Sequence, residues 1–307
     1  MNAAFAVNSG GVDATALVER FDGRIRTLAA TSNGYRGACR VVGQSLEWRR
    51  VLREATQVAV TDTTVLLQGE SGTGKEVVAR FIHRASPRKD GPFVAINCAA
   101  LPEHLLESEL FGYERGAFTG AHQAKAGQIE LAAKGVLFLD EVIEMSPMAQ
   151  AKLLRVLQER EFQRLGGTRP VKANVRVIAA SNRDLQSAVA EGRIREDLYY
   201  RLHVFDIRIP PLRERRGDIP LLIDTFLREF NRSTGCSTAG LTPDALKMLV
   251  GHEWPGNVRE LHNALERAVI LCAGGLITGE HLSFRSTNVV PSANRCPPPD
   301  SLTFSAA

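Results

Sequence analysis

The sequence predicts a parallel α/β sheet with helices on both faces, followed by a small all-helical domain. Three observations predict it. A short apolar run, Thr64–Leu67, leads into a glycine-rich loop, Gly69–Glu76, and then a helix-like stretch, Val77–Ile82. From there to Ile209 apolar runs and helix-like stretches alternate, as in a sheet whose crossovers are helices. After Pro210-Pro211 the pattern is helical only.

Composition bounds the reading without deciding it. The 307 residues, 44% hydrophobic and 23% charged, make an ordinary globular chain able to bury a large core and favour two domains. A net charge of +4 is too weak to argue nucleic-acid binding. No apolar run reaches membrane-spanning length, and Met1–Gly10 lacks a signal-peptide pattern, so no membrane partner is expected. The five cysteines (Cys39, Cys98, Cys236, Cys272, Cys296) are scattered and show no metal-ligand spacing. A reduced, cytoplasmic protein is the simplest expectation.

Taken in order, residues 1–38 read as a leader in which Leu17, Phe21, Ile25 and Leu28 recur at helical spacing. Ser45–Val58 is an amphipathic helix with Ser45 as N-cap. Thr64–Leu67 and Phe93–Ile96 are strands, the second ending at Asn97, and Pro102–Leu110 is helical. Gly116–Ala121 suits neither helix nor strand. It carries one apolar ring, Phe118, which on physics alone would fold back into the core. Val136–Leu139 is a buried strand that ends in Asp140-Glu141. Pro147–Glu159 is a helix with Leu153, Leu154 and Leu157 on one face. Glu161–Lys172, with Gly166-Gly167 and Pro170, is a loop or hairpin. Val175–Ala180 and Val204–Ile209 are further strands, and Asn182 either reaches a ligand or caps a helix starting near Asp184. Arg195 and Arg201, six apart, are expected along a similar side of one helix. Helices then cover 219–231, 242–250 and 257–272, with Arg259 in the first turn of the last. The expected segments are 1–38, a 39–211 nucleotide-binding unit, a 212–284 helical unit and a 285–307 disordered tail rich in Pro and Ser.

Strand, glycine loop, lysine and helix is the order a phosphate cradle needs. Gly69, Gly72 and Gly74 allow tight turns that aim backbone N–H groups at an anion, with Glu70, Ser71 and Thr73 between them. Lys75 brings a full positive charge. Glu76 stands where a hydroxyl would bind Mg²⁺, so the metal must lean on another carboxylate. Asp140 is placed for that, and Glu141 for polarising an attacking water. For Arg195 and Arg201, ion pairs with Glu191, Glu196 or Asp197 compete with a reach toward a neighbouring subunit's nucleotide. For Arg259, pairing with Glu253 or Glu260 competes with an anionic partner.

These stretches together resemble the central AAA+ ATPase module of bacterial sigma-54-dependent transcription activators, over roughly residues 39–283. The motifs are GESGTGKE at 69–76, NCAAL at 97–101, GAFTGA at 116–121, LFLDE at 137–141, ASNRDL at 180–185, REDLYYRL at 195–202 and WPGNVREL at 254–261. The resemblance implies an AAA+ P-loop sheet with a helical lid. It implies ATP and Mg²⁺ at 69–76, with Asp140 holding the metal and Glu141 activating water. Asn97 would restrain Glu141, Asn182 would belong to the first sensor motif and Arg259 to the second. Arg195 and Arg201 would act in trans within a ring, expected to be a hexamer. Gly116, Ala117, Phe118, Thr119, Gly120 and Ala121 would touch the sigma-54 RNA polymerase holoenzyme, overriding the core placement of Phe118. The product would be promoter remodelling, with DNA engaged indirectly. Ile143 and Ile194 depart from the family's usual Gly and Phe. The 23 residues after Phe284 are fewer than the ~40 of a three-helix DNA-binding unit. An AAA+ remodeller of another target and a non-hydrolysing, nucleotide-responsive regulator are the competing expectations.

Overall fold

The computed structural model describes residues 41–234 and 238–282; the readings of 1–38 and of 285–307 as leader and tail lie outside the described residues. Ser45 opens α1 (Leu46–Ala59), its hydroxyl accepting from Trp48 N at 3.3 Å. β1 (Val65–Gln68) and α2 (Lys75–Ala85) flank the glycine loop. β2 (Phe93–Asn97) and α3 (Glu103–Phe111) follow, then a two-stranded pair absent from the sequence reading, β3 (Gly112–Tyr113) and β4 (Lys125–Ala126). After α4 (Gln128–Leu131) comes β5 (Val136–Asp140), then one 3-10 turn (Val142–Glu144) and α5 (Pro147–Glu159). Residues 161–172 form the expected hairpin, β6 (Glu161–Gln163) against β7 (Pro170–Lys172). β8 (Arg176–Ser181), α6 (Leu185–Ala190), α7 (Glu196–Leu202) and β9 (Phe205–Arg208) complete the α/β unit.

The main sheet has five strands in the order β2-β5-β8-β1-β9, every neighbouring pair parallel. Side-chain alternation divides its apolar residues between two cores. Leu66, Leu137, Leu139, Val177 and Ala179 pack with α3, α5, α6 and α7. Val65, Leu67, Val136, Phe138, Ile178 and Ala180 pack with α1 and α2. Ile143 and Ile194 are both buried in the first of these cores. The left-handed residue near Ile143 is Glu141, so a β-branched side chain at 143 meets no positive-φ demand.

The lid holds α8 (Ile219–Thr234), α9 (Pro243–Gly251) and α10 (Asn257–Leu271) around Trp254, Leu249, Leu261 and Leu265. It is not purely helical as the sequence suggests. β10 (Gly240–Leu241) and β11 (Leu276–Ile277) form a parallel pair, too short to leave a period-2 signal. Asp218, fully buried ahead of α8, accepts from Gln44 N (2.6 Å), Ser45 N (2.8 Å) and Ser45 Oγ (2.7 Å). It thereby ties the start of α1 to the entry of the lid.

Asp218→Ala leaves those backbone donors unpaired and is expected to lower the unfolding free energy by about 2–4 kcal/mol. A urea titration reads this as a lower midpoint; an unmoved midpoint would show that this joint carries no weight.

Candidate nucleotide site

The sheet order brings one end of each of four consecutive strands to a single edge. β2 ends at Asn97, β5 at Asp140, β8 just before Asn182 and β1 just before Gly69. Gly72 and Gly74 have φ of +78° and +104°, which only glycine adopts freely, and Gly74 precedes α2 without a capping side chain. The first-turn N–H groups of α2 therefore stay available to an anion. Lys75 is buried, with Nζ donating to Gly69 O at 2.9 Å and lying 3.6 Å from Glu141 Oε1. Glu76 is exposed and paired with Arg80 at 2.6 Å, outside this cluster.

Glu141 leaves β5 in the left-handed region, φ +54° and ψ +51°. Its carboxylate accepts from Asn182 N at 3.1 Å as well as approaching Lys75. Asn97 stands opposite Asp140 in register and donates from Nδ2 to Asp140 Oδ2 at 3.5 Å. The expected restraint of Glu141 by Asn97 is thus not seen. The left-handed turn carries Glu141 to Lys75 and Asn182, leaving Asp140 as the partner of Asn97. The helix cap is Asp184 itself, accepting from Ser187 N at 2.8 Å, so Asn182 has no capping role.

Asp140 Oδ1 is buried without a hydrogen-bond partner. An orphaned carboxylate oxygen beside a phosphate cradle fits Mg²⁺, which binds through one or two carboxylates and takes its other oxygens from water and phosphates. Among the described residues no cluster of three or more His, Cys, Asp or Glu that could hold a metal ion is found. Behind Asn97, burial together with the Asp140 and Glu141 carboxylates pushes the Cys98 thiol up to about 12, so it stays neutral.

The lid closes on the same loop. A Cβ on Gly72 would lie 2.3 Å from Gly256 O, so only glycine admits the approach. Val258 N donates to Gly72 O (3.0 Å), Arg215 Nη2 to Thr73 O (2.7 Å) and Arg259 Nη1 to Ser71 Oγ (3.0 Å). Arg213 grips Glu70 with two bonds of 2.6 and 2.8 Å and holds its carboxyl below the usual carboxylate range. Asn257, fully buried at φ +54°, donates to Ser71 O (3.0 Å) and Glu70 Oε2 (3.1 Å) and accepts from Leu212 N (2.8 Å). Glu253 pairs with Arg216, and Glu260 accepts from Gly256 N at 2.8 Å, so the contact recorded for Arg259 is the phosphate loop. Arg213, Arg215 and Asn257 were not foreseen from sequence. The only signal was an asparagine after Trp254-Pro255-Gly256, a residue type that tolerates positive φ.

Arg195 is the N-cap of α7 with extended backbone, so it does not share a helix side with Arg201. Its guanidinium holds Asp197 at 3.0 and 2.7 Å, the surface pair anticipated for it. Arg201 is exposed, and no hydrogen bond or ion pair of its side chain is found among the described residues. Neither arginine meets Lys75, Asp140 or Glu141 of its own chain.

Residues 116–121 form a closed loop, Gly116 N donating to Ala121 O at 2.9 Å and Ala121 N to Phe118 O at 3.0 Å. Gly116 and Gly120 take φ of +83° and +102°. Phe118 is 47% exposed with its ring edge-on to Tyr113, which overturns its placement in the core. Arg164, from the β6–β7 hairpin, holds Glu130 (2.6 and 2.8 Å) and Glu114 (3.1 Å) at the loop's base.

Fold and site define a P-loop nucleotide-binding ATPase class with a helical lid. The model of the "Sigma-54 interaction domain" family matches residues 41–208, and that of the "AAA+ ATPase lid domain" matches 213–295. The chain belongs to the sigma-54 interaction domain family. It is 56% identical over 243 residues to the Nif-specific regulatory protein of Herbaspirillum seropedicae, covering 79% of this chain and 45% of that protein. It is 52% identical over 245 residues to the transcriptional regulatory protein ZraR of Salmonella typhimurium, covering 80% and 54%. The crystal structure of NtrX from Brucella abortus in complex with ATP superposes with a TM-score of 0.76 at 36% identity, covering 92% of this chain and 62% of that one. The chain spans about half the length of the curated relatives it matches.

Asn257→Ala removes the bonds to Ser71 O and Glu70 Oε2 that attach the lid to the loop and also unpairs Leu212 N at the lid's own entry, at a cost of about 1–3 kcal/mol per group left unpaired. Binding of a fluorescent ATP analogue is expected to weaken roughly tenfold if the cradle needs the closed lid. Unchanged affinity would show that lid position does not shape the loop.

Proposed function

We propose that this chain binds and hydrolyses ATP between subunits of a ring, expected to be a hexamer, and remodels the closed promoter complex of sigma-54 RNA polymerase. Residues 39–211 would form the nucleotide-binding unit and 212–284 the lid. The observation that carries the reading is Phe118: an aromatic ring half exposed on a closed, glycine-hinged loop, the kind of segment that carries binding contacts, in the same subunit as a full hydrolytic set.

In this reading Lys75 and the loop N–H groups hold the phosphates, with Arg259 closing from the lid. Asp140 would hold Mg²⁺, which when bound neutralises charge on the β- and γ-phosphates. Glu141, released from Lys75, accepts a proton from the attacking water while Asn182 N keeps its carboxylate aimed. Arg195, freed from Asp197, and Arg201 neutralise charge on the neighbouring subunit's γ-phosphate. Asn97 restrains Asp140, and through it the pair, until the loop at 116–121 engages its target. No described helix is long and apolar enough to cross a membrane.

ATP turnover per subunit is expected to rise with protein concentration and to fall at least ~100-fold in Glu141→Gln. Phe118→Ala should keep turnover yet lose binding to sigma-54 in the presence of a transition-state analogue. A negligible rate at every concentration would instead favour a nucleotide-responsive regulator without hydrolysis, and intact sigma-54 binding by Phe118→Ala would sink the loop assignment.

A further inference from the structure

Gln150 is a buried amide whose role the nucleotide site does not explain. It lies in the first turn of α5, 1% exposed, on the apolar face with Ala149, Leu153 and Val156. An amide there is costly unless each polar group is paired, and each is. Nε2 donates to Met145 O at 2.9 Å and to Arg193 O at 2.8 Å, and Oε1 accepts from Arg195 N at 3.0 Å. Two carbonyls at one end and an N–H at the other allow a single orientation of the amide. Ser146 already caps α5, accepting from Ala149 N at 3.2 Å, so the helix does not need Gln150 for its start.

The two segments joined this way have different destinations. Val142–Met145 is the turn that leaves Asp140 and Glu141, inside one subunit's own nucleotide site. Arg193–Arg195 presents the arginine read above as serving the next subunit. A surface pair, Arg193 with Glu144 at 2.9 Å, spans the same gap. Ile143 and Ile194, the two departures from the family pattern, fall on these same segments and are buried in one core.

We infer that Gln150 is a positioning residue that sets Arg195 for the neighbouring subunit's nucleotide and ties its place to the turn after Glu141 of its own subunit. The inference rests on the trans role of Arg195 proposed above. A shift of the turn on nucleotide binding is then passed through one rigid amide to the arginine donated onward. Each site reports its state to the next around the ring.

Gln150→Met keeps the volume and removes all three bonds. Turnover of the homogeneous variant is expected to fall roughly 10- to 100-fold, the cost of a misplacement of about 1 Å, with affinity for an ATP analogue unchanged. The decisive measurement mixes it with Glu141→Gln subunits, which cannot hydrolyse but donate an intact Arg195. Turnover per Gln150→Met subunit should rise several-fold on mixing, as it should for Arg195→Ala in a parallel mixture. If Gln150→Met turns over like wild type, or if only Arg195→Ala is complemented, the inference is overturned while the trans reading stands. If neither variant is complemented, the trans reading falls and takes the inference with it. Gln150→Glu, which keeps shape and the acceptor for Arg195 N but, held protonated by burial and the two carbonyls, retains only one of the two donors, should repeat the pattern with a smaller loss and covers a Met variant that fails to fold.

Discussion

Glu141 holds a left-handed backbone that costs a residue with a side chain about 1–2 kcal/mol, and the geometry of the site depends on it. Strand alternation alone would send the carboxylates of Asp140 and Glu141 to opposite faces of the sheet. The turn lets both serve one edge, Asp140 beside Asn97 of β2 and Glu141 across β8 beside Lys75 and Asn182. Such strain persists where the surroundings over-determine it. Here Lys75 and Asn182 N engage the carboxylate, while Val142 and Ile143 anchor the next turn in the core. A charge held by Lys75 and Asn182 N, and proposed above to take the proton from water, makes this turn a natural place for change on nucleotide binding.

The phosphate loop is shaped from outside as much as by its own glycines. Glu70, Ser71, Gly72 and Thr73 each accept a hydrogen bond from the lid or its lead-in. With those oxygens taken, the loop's conformation is coupled to lid position. Arg215 shows how tightly the joint is built. Its guanidinium lies 4.3 Å from the Trp48 ring centroid of α1, and burial brings its pKa down to about 10. Phosphate loop, α1 and lid entry therefore meet on one buried cation. Arg215 Nε and Trp48 Nε1 are buried there without a hydrogen-bond partner, so the joint rests on the ring contact and the bond to Thr73 O rather than on a fully paired network.

What could be read from sequence is what periodicity and backbone chemistry encode locally. The five main strands, the longer helices, the Ser45 cap and the glycine loop all leave such signals, and the structure has them, whereas the four-residue α4 went unread. The pairs β3–β4 and β10–β11 leave none, because two residues cannot show a period. Within the site, Lys75 was legible at the end of the glycine loop, and Asp140 and Glu141 as types at a strand end. Asn97 beside Asp140, rather than Glu141, depends on which way one left-handed residue turns the chain. Arg213, Arg215, Asn257 and Gln150 act through partners 40 or more positions away, and single-chain patterning carries no information at that range. Phe118 was read away from the core only through the motif that holds it, and the structure leaves it exposed. Burial is a sound expectation for a lone phenylalanine, and its exposure is informative because it breaks that rule.

Motion in this fold has to pass through polar links, since the two cores flanking the sheet are close-packed and resist gradual deformation. Such links stand where motion would be needed. Lys152 to Glu107 joins α5 to α3 at 2.8 Å, and Arg164 ties the β6–β7 hairpin to the base of the exposed loop. Gln150 joins the start of α5 to the segment bearing Arg195. Helix α5 therefore takes part in three connections: to the turn after Glu141, to the helix leading toward Phe118, and to the arginine that faces outward. A change at Glu141 that shifted α5 as a body would reach the loop and the neighbouring subunit together. Under the proposed reading, hydrolysis and loop movement would then be coupled within a subunit by the same helix that we infer to link one subunit to the next.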